Sequence, residues 1–276
     1  MTKKVAIGDK FLLFVKGGSF FMSHDSDLNN DLGYFDKMAH WSFDEFGIHS
    51  ECLTDWDLYE LLKARVTPDS KILDLGTAGG EKIFEFFPDC AEILGTDFSS
   101  AMIGTARKNL EKSGKKNVSF KVMDNLHMDV PDDYFDIVVA RHTCTVASQI
   151  YRCLKPGGHL LLRGVDKYDC WSLKMEFGGG QGWNDPVPVS ISDYEQVLAA
   201  GFTEVELVPI HMKDYFKSRE DFKGFLEVVP ILDDVSIGGQ ELNEELLDRY
   251  IAKNTVGGRI VLIRNYYGIS ARKPLG

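Results

Sequence analysis

The residues best suited to chemistry begin in one short stretch, where an acidic residue lies within an apolar run and a glycine-rich turn follows it. In the stretch Lys71–Glu81, Asp74 is followed by Gly76, Gly79 and Gly80. A strand, a glycine-rich turn and a helix form a cradle for a nucleotide-like ligand, because the glycines let the backbone approach it closely. A carboxylate beside such a turn would repel a pyrophosphate, so Asp74 favours a ligand that carries positive charge.

Three further polar residues, Asp97, Asp124 and Arg141, come at or just after the ends of later apolar runs. Runs that alternate with helical patterns predict a parallel sheet with helices on both faces, whose ligands bind at the carboxyl ends of the strands. We therefore expect these three residues and Asp74 to line one site. Strand-end aspartates can also simply cap the next helix, but capping does not account for the glycine-rich turn. The runs are Ile72–Leu75, Ile93–Thr96, Val118–Val122, Phe135–Ala140 and Leu160–Leu162.

From Ser70 to about Gly164, the chain resembles the class I S-adenosylmethionine-dependent methyltransferases. S-adenosylmethionine carries a sulfonium and an ammonium group and no phosphate, which agrees with the acidic Asp74. One departure from the family pattern is Ala78, which stands where the family has the middle glycine of its turn. The motifs that carry the resemblance are, in chain order, Asp74–Gly80, Ile93–Arg107, Val118–Asn125, Tyr134–Ala140 and Tyr151–Leu162.

The resemblance implies an α/β, Rossmann-like fold with a seven-stranded, mostly parallel sheet, helices on both faces and an antiparallel last strand. It divides the chain into an N-terminal cover (residues 1–68), the methyltransferase core (69–210), a helical insertion expected to cap the substrate (211–258), and the last strand with the tail of the core (259–276).

The resemblance also assigns residues to the cofactor S-adenosylmethionine, whose product is S-adenosylhomocysteine. Asp97 is expected to bind the ribose hydroxyls and Asp124 the adenine amino group, while Asp74 and Gly76 line the methionine end. The whole predicted cofactor-binding set is Asp74, Gly76, Thr77, Ala78, Gly79, Asp97, Phe98, Met102, Asp124, Asn125 and Arg141.

His142, which directly follows the fourth strand, is the candidate catalytic residue. Its imidazole has an ordinary pKa near 6.5, which suits a general base. A histidine at this place more often packs or forms a local hydrogen bond. Arg141 beside it could orient a carboxylate or form a salt bridge at the end of the sheet. The sequence shows no metal-binding motif, so no metal is predicted.

The amino-acid composition limits the kinds of molecule that the protein is expected to bind. The 276 residues carry a formal net charge of −11, and 44% of them are hydrophobic. An acidic balance disfavours nucleic acid, because phosphate contacts usually require a basic face. The five cysteines are scattered and suit a reducing cytosol, and no apolar run is long enough for a membrane span. We therefore expect a cytoplasmic enzyme.

The function predicted from the sequence is methyl transfer from S-adenosylmethionine to an oxygen or nitrogen atom, with a small molecule as the expected acceptor. Two alternatives stay open. The acceptor could be RNA, a protein or a peptide, since the insertion leaves room for a large molecule. The chain could also bind the cofactor without catalysis, an alternative suggested by Ala78. The sequence does not predict the oligomeric state.

Overall fold

The computed structural model describes residues 46–276, which form one mixed sheet covered by helices on both faces. The strands are β1 (His49–Cys52), β2 (Lys71–Leu75), β3 (Glu92–Asp97), β4 (Val118–Val122), β5 (Phe135–Arg141), β6 (Leu154–Val165), β7 (Thr203–Phe216), β8 (Thr255–Val256) and β9 (Arg259–Arg272). The helices are α1 (Leu58–Lys63), α2 (Glu81–Phe86), α3 (Ser100–Ser113), α4 (Ala147–Cys153), α5 (Trp171–Phe177), α6 (Val189–Ala199), α7 (Arg219–Val228), α8 (Asp233–Ser236) and α9 (Glu244–Asn254).

The order of strands across the sheet is β1, β7, β9, β6, β5, β2, β3 and β4, and β8 pairs with β9. Strands β6, β5, β2, β3 and β4 run parallel to their neighbours. Strand β9 is antiparallel to both β6 and β7. The chain leaves β2 for β3 on one side and later returns to β5 on the other, so a crevice opens between the carboxyl ends of β2 and β5. The predicted α/β class and antiparallel last strand are confirmed.

The predicted strand count was wrong, because the described sheet has nine strands rather than seven. The two additional strands are β1 and β8, which pair antiparallel with β7 and β9. Strand β1 is exposed at every position and pairs with the far end of β7. Strand β8 has only two residues. Neither carries the apolar alternation by which a strand is recognised in a sequence, so sequence patterns could not reveal them.

Each face of the sheet has its own hydrophobic core, because alternate residues of a strand point to opposite faces. On one face, Leu73 and Leu75 of β2 pack in a buried cluster with Ile150 of α4. On the other face, Ile72 of β2 packs in a second cluster with Leu62 of α1. Helix α1 therefore lies against the sheet just before the glycine-rich turn.

A third buried cluster lies where β7 and β9 extend past the carboxyl ends of the parallel strands. Leu262 of β9 and Phe216 of β7 pack there with Phe222 and Phe225 of α7 and with Leu247 of α9. The helices of the predicted insertion lie in this region. Its first six residues, 211–216, belong instead to β7, which continues past the predicted end of the core at residue 210.

The predicted N-terminal cover (residues 1–68) is described only from residue 46 onward, and its first 45 residues lie outside the described part. In the remainder, Asp57 caps α1 by accepting hydrogen bonds from the backbone N–H groups of Tyr59 and Glu60. Within residues 46–276, no helix has the length and apolarity required to span a membrane.

Candidate active site

The glycine-rich turn between β2 and α2 forms the floor of the site. Gly76 has a φ of +71°, a conformation that favours glycine. A Cβ atom at this position would lie 2.6 Å from Cβ of Thr143, which follows β5. The turn is therefore in close contact with the residues after β5, as the crevice between β2 and β5 requires.

Asp97, the last residue of β3, is fixed by backbone N–H groups. One carboxylate oxygen accepts a hydrogen bond of 3.0 Å from the N–H of Ala78, and the other accepts one of 3.0 Å from the N–H of Ser99. Burial raises the pKa of this carboxyl group, and hydrogen bonds from the backbone of Ser99, Ala78 and Phe98 oppose the shift. A carboxylate has about four lone pairs, so Asp97 can still accept a hydrogen bond from a ribose hydroxyl.

Ala78 adopts a left-handed conformation, with a φ of +50°. An L-residue pays about 1–2 kcal/mol for this region, whereas glycine adopts it freely. The family pattern has glycine at this position, so the departure carries a conformational cost.

Replacing Ala78 by Gly should therefore stabilise the protein by about 0.5–1 kcal/mol, the relieved strain less the backbone entropy that glycine loses on folding. Urea unfolding measures the change. Ala200, whose φ is −73°, provides the matched control, since its replacement by Gly should destabilise the protein. If Ala78→Gly and Ala200→Gly destabilised the protein equally, the backbone of Ala78 would not be strained.

Asp74 lies within β2, one residue before its end, with 7% of its surface exposed. Burial raises the pKa of its carboxyl group to about 7, and the nearby charge of Arg141 partly opposes this shift. A positively charged group placed beside Asp74 would stabilise its ionised form. The geometry thus supports the predicted contact with a cationic ligand.

Asp124 and Asn125 follow β4 in a loop. The Asp124 carboxylate is directed to its own loop, where it accepts a 2.8 Å hydrogen bond from the N–H of Leu126 and lies 3.1 Å from Nδ1 of His127. The amide of Asn125 donates to Oγ1 of Thr143 at 3.0 Å, which ties this loop to the end of β5. Its Oδ1 atom is buried and has no hydrogen-bond partner in the structure.

Apolar side chains flank this part of the site. Phe98 and Leu126 are each 37% exposed and follow the neighbouring strands β3 and β4, and Met102 of α3 is buried. Two accessible apolar groups at adjacent strand ends suit the faces of a flat aromatic base. Leu126 was not predicted, because a single leucine in a loop gives no pattern in the sequence.

The fixed carboxylate of Asp97, the unpartnered oxygen of Asn125 and these apolar groups fit an adenosine. Thr77 and Gly79 belong to the same turn, and a Cβ at Gly79 would clash with the carboxylate of Glu81 at 2.2 Å. The predicted cofactor-binding residues therefore lie along the carboxyl ends of β2, β3, β4 and β5. Their contacts with a ligand remain predictions.

His142 is accessible to solvent and has a φ of +52°. Its ring stacks on that of Tyr266, with centroids 5.1 Å apart and planes at 15°. Its pKa is well below the ordinary value, first because the surrounding protein removes water from the charged form, and then because Arg141, Arg163 and Arg264 repel a proton. The imidazole is therefore neutral at physiological pH and can accept a proton.

A cavity of about 320 Å³ lies beside these residues, between α1, α2 and the ends of β5 and β6. Arg163 is not among the predicted site residues, although a charged residue follows the apolar run Leu160–Leu162 directly. Tyr59 belongs to the predicted N-terminal cover. The cavity is lined by Asp57, Tyr59, Glu60, Lys63, Lys82, Phe86, Arg141 and Arg163. Among the described residues, no cluster of His, Cys, Asp and Glu side chains is arranged to hold a metal ion.

Comparisons with known proteins show what the residues around this site are similar to. Residues 67–196 match the family model of a methyltransferase domain. The chain is 30% identical over 113 residues to the arsenite methyltransferase of Halobacterium salinarum, covering 37% of this chain and 29% of that protein. It is 27% identical over 138 residues to the ubiquinone/menaquinone biosynthesis C-methyltransferase of Paraburkholderia phytofirmans, covering 44% of this chain and 56% of that protein.

The solved structure of the YcgJ protein of Bacillus subtilis shares the fold, with a TM-score of 0.53 and 20% identity over 79% of this chain and 98% of that one. The chain spans less than two thirds of the length of the curated relatives it matches. Residues 67–196, slightly less than half of the chain, are therefore similar to a methyltransferase domain.

Proposed function

We propose that this protein transfers the methyl group of S-adenosylmethionine to an oxygen or nitrogen atom of a small molecule. The observation that carries the proposal is the accessible, neutral imidazole of His142 next to the glycine-rich turn. The following residue, Thr143, packs against Gly76, and the preceding residue, Arg141, lines the cavity; these two contacts support a position of His142 between the cofactor and the acceptor.

The residues that would hold the cofactor follow from the geometry. Asp97 would accept hydrogen bonds from the ribose hydroxyls, and Phe98 and Leu126 would flank the adenine. Asp74 would face the positive charge at the methionine end, and Arg141 would bind the carboxylate there. Asp124 stays a candidate for the adenine amino group, once its bond with His127 is exchanged for one with the base.

Bound S-adenosylmethionine supplies a methyl group that is already activated on a sulfonium, so the chain's part is alignment and proton removal. His142 would accept the proton of an acceptor hydroxyl or amine as the new bond to carbon forms. An oxygen acceptor needs such help more than a thiol does, which is why the neutral imidazole favours oxygen or nitrogen.

The acceptor of this chain cannot be inferred from the relatives. The names of two of them specify arsenite and carbon methylation, so the shared domain is compatible with different acceptors, and the acceptor has to be inferred from the cleft of this chain. A cavity of about 320 Å³ is at the small end of ligand pockets and favours a small molecule. Residues 211–258 are our candidate for the part that shapes this cleft from the far ends of β7 and β9.

The other candidates predict different results. An RNA acceptor would require a basic surface around the cleft, whereas the chain has a net charge of −11. A protein or peptide acceptor would bind outside the small cavity. A chain that binds the cofactor without catalysis would bind both forms of it and release no methylated product.

Thermal unfolding with S-adenosylmethionine and with S-adenosylhomocysteine tests cofactor binding first. A ligand at about 100 times its dissociation constant adds about 2.7 kcal/mol, which is a shift of several degrees for a protein of this size. Methylation of a small-molecule panel, detected as S-adenosylhomocysteine release, then tests catalysis. Binding without any release would favour the non-catalytic alternative, and no shift with either ligand would contradict the proposal.

Replacing Asp97 by Ala should weaken the binding of both ligands by about 1.5–3 kcal/mol, because charge-assisted hydrogen bonds to the ribose are lost. Calorimetric titration measures the change. Asp89, whose side chain is 99% exposed, provides the matched control, since its replacement by Ala should leave affinity unchanged. Unaltered affinity in the Asp97 variant would mean that Asp97 does not bind the ribose.

A further inference from the structure

Two arginines of the cleft, Arg141 and Arg163, lack a carboxylate partner among the described residues. They are neighbours on β5 and β6, paired in register, and both line the cavity. The Nε atom of Arg163 is buried without a hydrogen-bond partner, and the side-chain acceptor close to its guanidinium is the sulfur of Met212, 3.1 Å from Nη2. A thioether is only a weak acceptor, so this cation is not neutralised.

Arg264, in the same region, is an arginine whose charge is neutralised by carboxylates. It is buried, its Nη2 lies 2.9 Å from the carboxylate of Asp169, and its Nη1 lies 3.2 Å from that of Asp214. Both Arg163 and Arg264 lie against the ring of Tyr266, with guanidinium carbons 4.7 and 5.0 Å from its centroid. The described residues therefore provide two counter-ions for Arg264 and none for Arg163.

Tyr266 holds Arg163 in place without neutralising it, since a cation–π contact offsets only part of the cost of removing a charge from water. Keeping a guanidinium with five donors in a cleft without an anion is unfavourable unless a ligand supplies one. Carboxylates and phosphates match the guanidinium fork with two parallel hydrogen bonds. The missing partner is thus best explained as part of a ligand.

The two arginines face different parts of the site. Arg141 lies close enough to Asp74 to affect its ionisation, which places it at the methionine end of the cofactor. Arg163 lies farther along the sheet, where its guanidinium and the ring of His142 both contact Tyr266. These two contacts place the guanidinium of Arg163 less than about 10 Å from the imidazole of His142.

We propose that Arg163 binds an anionic group, a carboxylate or a phosphate monoester, on the methyl acceptor. This proposal rests on the proposed function, because it needs His142 to face the acceptor. Tyr59 and Phe86, whose rings stack with centroids 4.4 Å apart, line the same cavity and provide an apolar surface. The acceptor is thus a small molecule with an apolar body, an anion at one end and the methylated atom within reach of His142.

The test uses the full chain saturated with S-adenosylhomocysteine and three phenols that differ in the group opposite the hydroxyl: 4-hydroxybenzoate, 4-hydroxyphenyl phosphate and the neutral 4-hydroxybenzamide, which has nearly the shape of the benzoate. Calorimetric titration should give at least about tenfold tighter binding of one of the two anions than of the amide, the effect expected of charged hydrogen bonds. Replacing Arg163 by Gln should remove this preference and leave S-adenosylhomocysteine binding unchanged. Arg272→Gln, at the opposite end of the sheet and beside Glu204, is the control and should keep the preference.

The outcomes separate this proposal from the proposed function. If S-adenosylhomocysteine does not bind the wild-type chain, the proposed function fails. If it binds but the wild-type chain does not prefer either anion, or the preference survives in Arg163→Gln, then Arg163 does not recognise an acceptor anion. Competition between S-adenosylhomocysteine and the anions would assign Arg163 to the cofactor's own carboxylate and overturn the proposal.

Discussion

Replacing Asp74 by Asn should stabilise the ligand-free protein at pH 8 and weaken its binding of S-adenosylmethionine. Burial raises the pKa of this carboxyl group from 3.8 to about 7. Between those values the folded protein keeps a proton that the unfolded chain has lost, so the stability contributed by this group falls as the pH rises. By pH 8 this lowers the free energy of unfolding by up to about 4 kcal/mol. Asn has nearly the same shape and carries no charge, so the variant avoids this loss.

Ligand binding should depend on pH in the opposite direction. The positive charge of S-adenosylmethionine stabilises ionised Asp74, so binding below pH 7 requires release of its proton. Affinity should then be about tenfold lower at pH 6 than at pH 8, because the carboxyl group is mostly protonated one unit below its pKa. The Asp74→Asn variant should bind S-adenosylmethionine more weakly than the wild-type protein at pH 8, and its affinity should be nearly independent of pH.

Urea unfolding and calorimetric titration of both proteins from pH 5 to pH 8 measure the two effects. Asp136 offers the contrasting control, since its carboxylate is 2.8 Å from Nζ of Lys155 and accepts a hydrogen bond from the N–H of Lys71. Asp136→Asn should destabilise the protein at pH 8. Destabilisation by Asp74→Asn under the same conditions would show that the ionised carboxylate of Asp74 does not destabilise the ligand-free protein.

The parts of the site that the sequence predicts are those built by neighbouring residues. Asp74, Gly76 and Asp97 lie at strand ends and in one turn, so their relative positions follow from the strand–turn–helix unit alone. The left-handed conformation at Ala78 also follows from its place in a glycine pattern. Local geometry of this kind depends little on the rest of the chain.

The acceptor side of the cleft depends on contacts between distant segments. Tyr266 comes from the last strand, Arg163 from β6 and Tyr59 from α1, and only the packing of the sheet brings them together. Their patterns in the sequence are those of ordinary strand and helix residues. The sequence also does not show that Arg163 lacks a carboxylate partner, because this depends on which side chains surround it in the folded protein.

The loop after β4 shows a third limit. Asp124 lies at the predicted place, but its carboxylate forms a local turn with Leu126 and contacts His127. Aspartate competes with ligands for its own backbone N–H groups in such turns. A motif therefore locates the residue, and only the structure shows which way its side chain points.

Replacing His142 by Asn should lower the turnover of an oxygen acceptor by about 10²–10⁴-fold, the usual contribution of a general base, and leave S-adenosylhomocysteine binding unchanged. Asn is the suitable substitute because it tolerates the left-handed conformation that His142 adopts at a φ of +52°. The variant thus removes the base and preserves the backbone. Turnover is measured with an acceptor from the panel. The control is His159→Asn, because His159 pairs with Ile137 of β5, away from the cleft at Arg141.

The pH dependence separates a base from a packing residue. An imidazole with a pKa well below 6.5 stays neutral as the pH falls through that value, so wild-type turnover should not fall near pH 6.5 on account of this group. Nuclear magnetic resonance can follow the imidazole directly, since the signal of His142 is the one, among seven histidines, that disappears in His142→Asn. Titration of that signal at or above 6.5, or full turnover by the variant, would mean that His142 only packs against Tyr266. A low pKa together with a large loss of turnover would establish that His142 is unprotonated in the resting protein and accepts the proton of the acceptor.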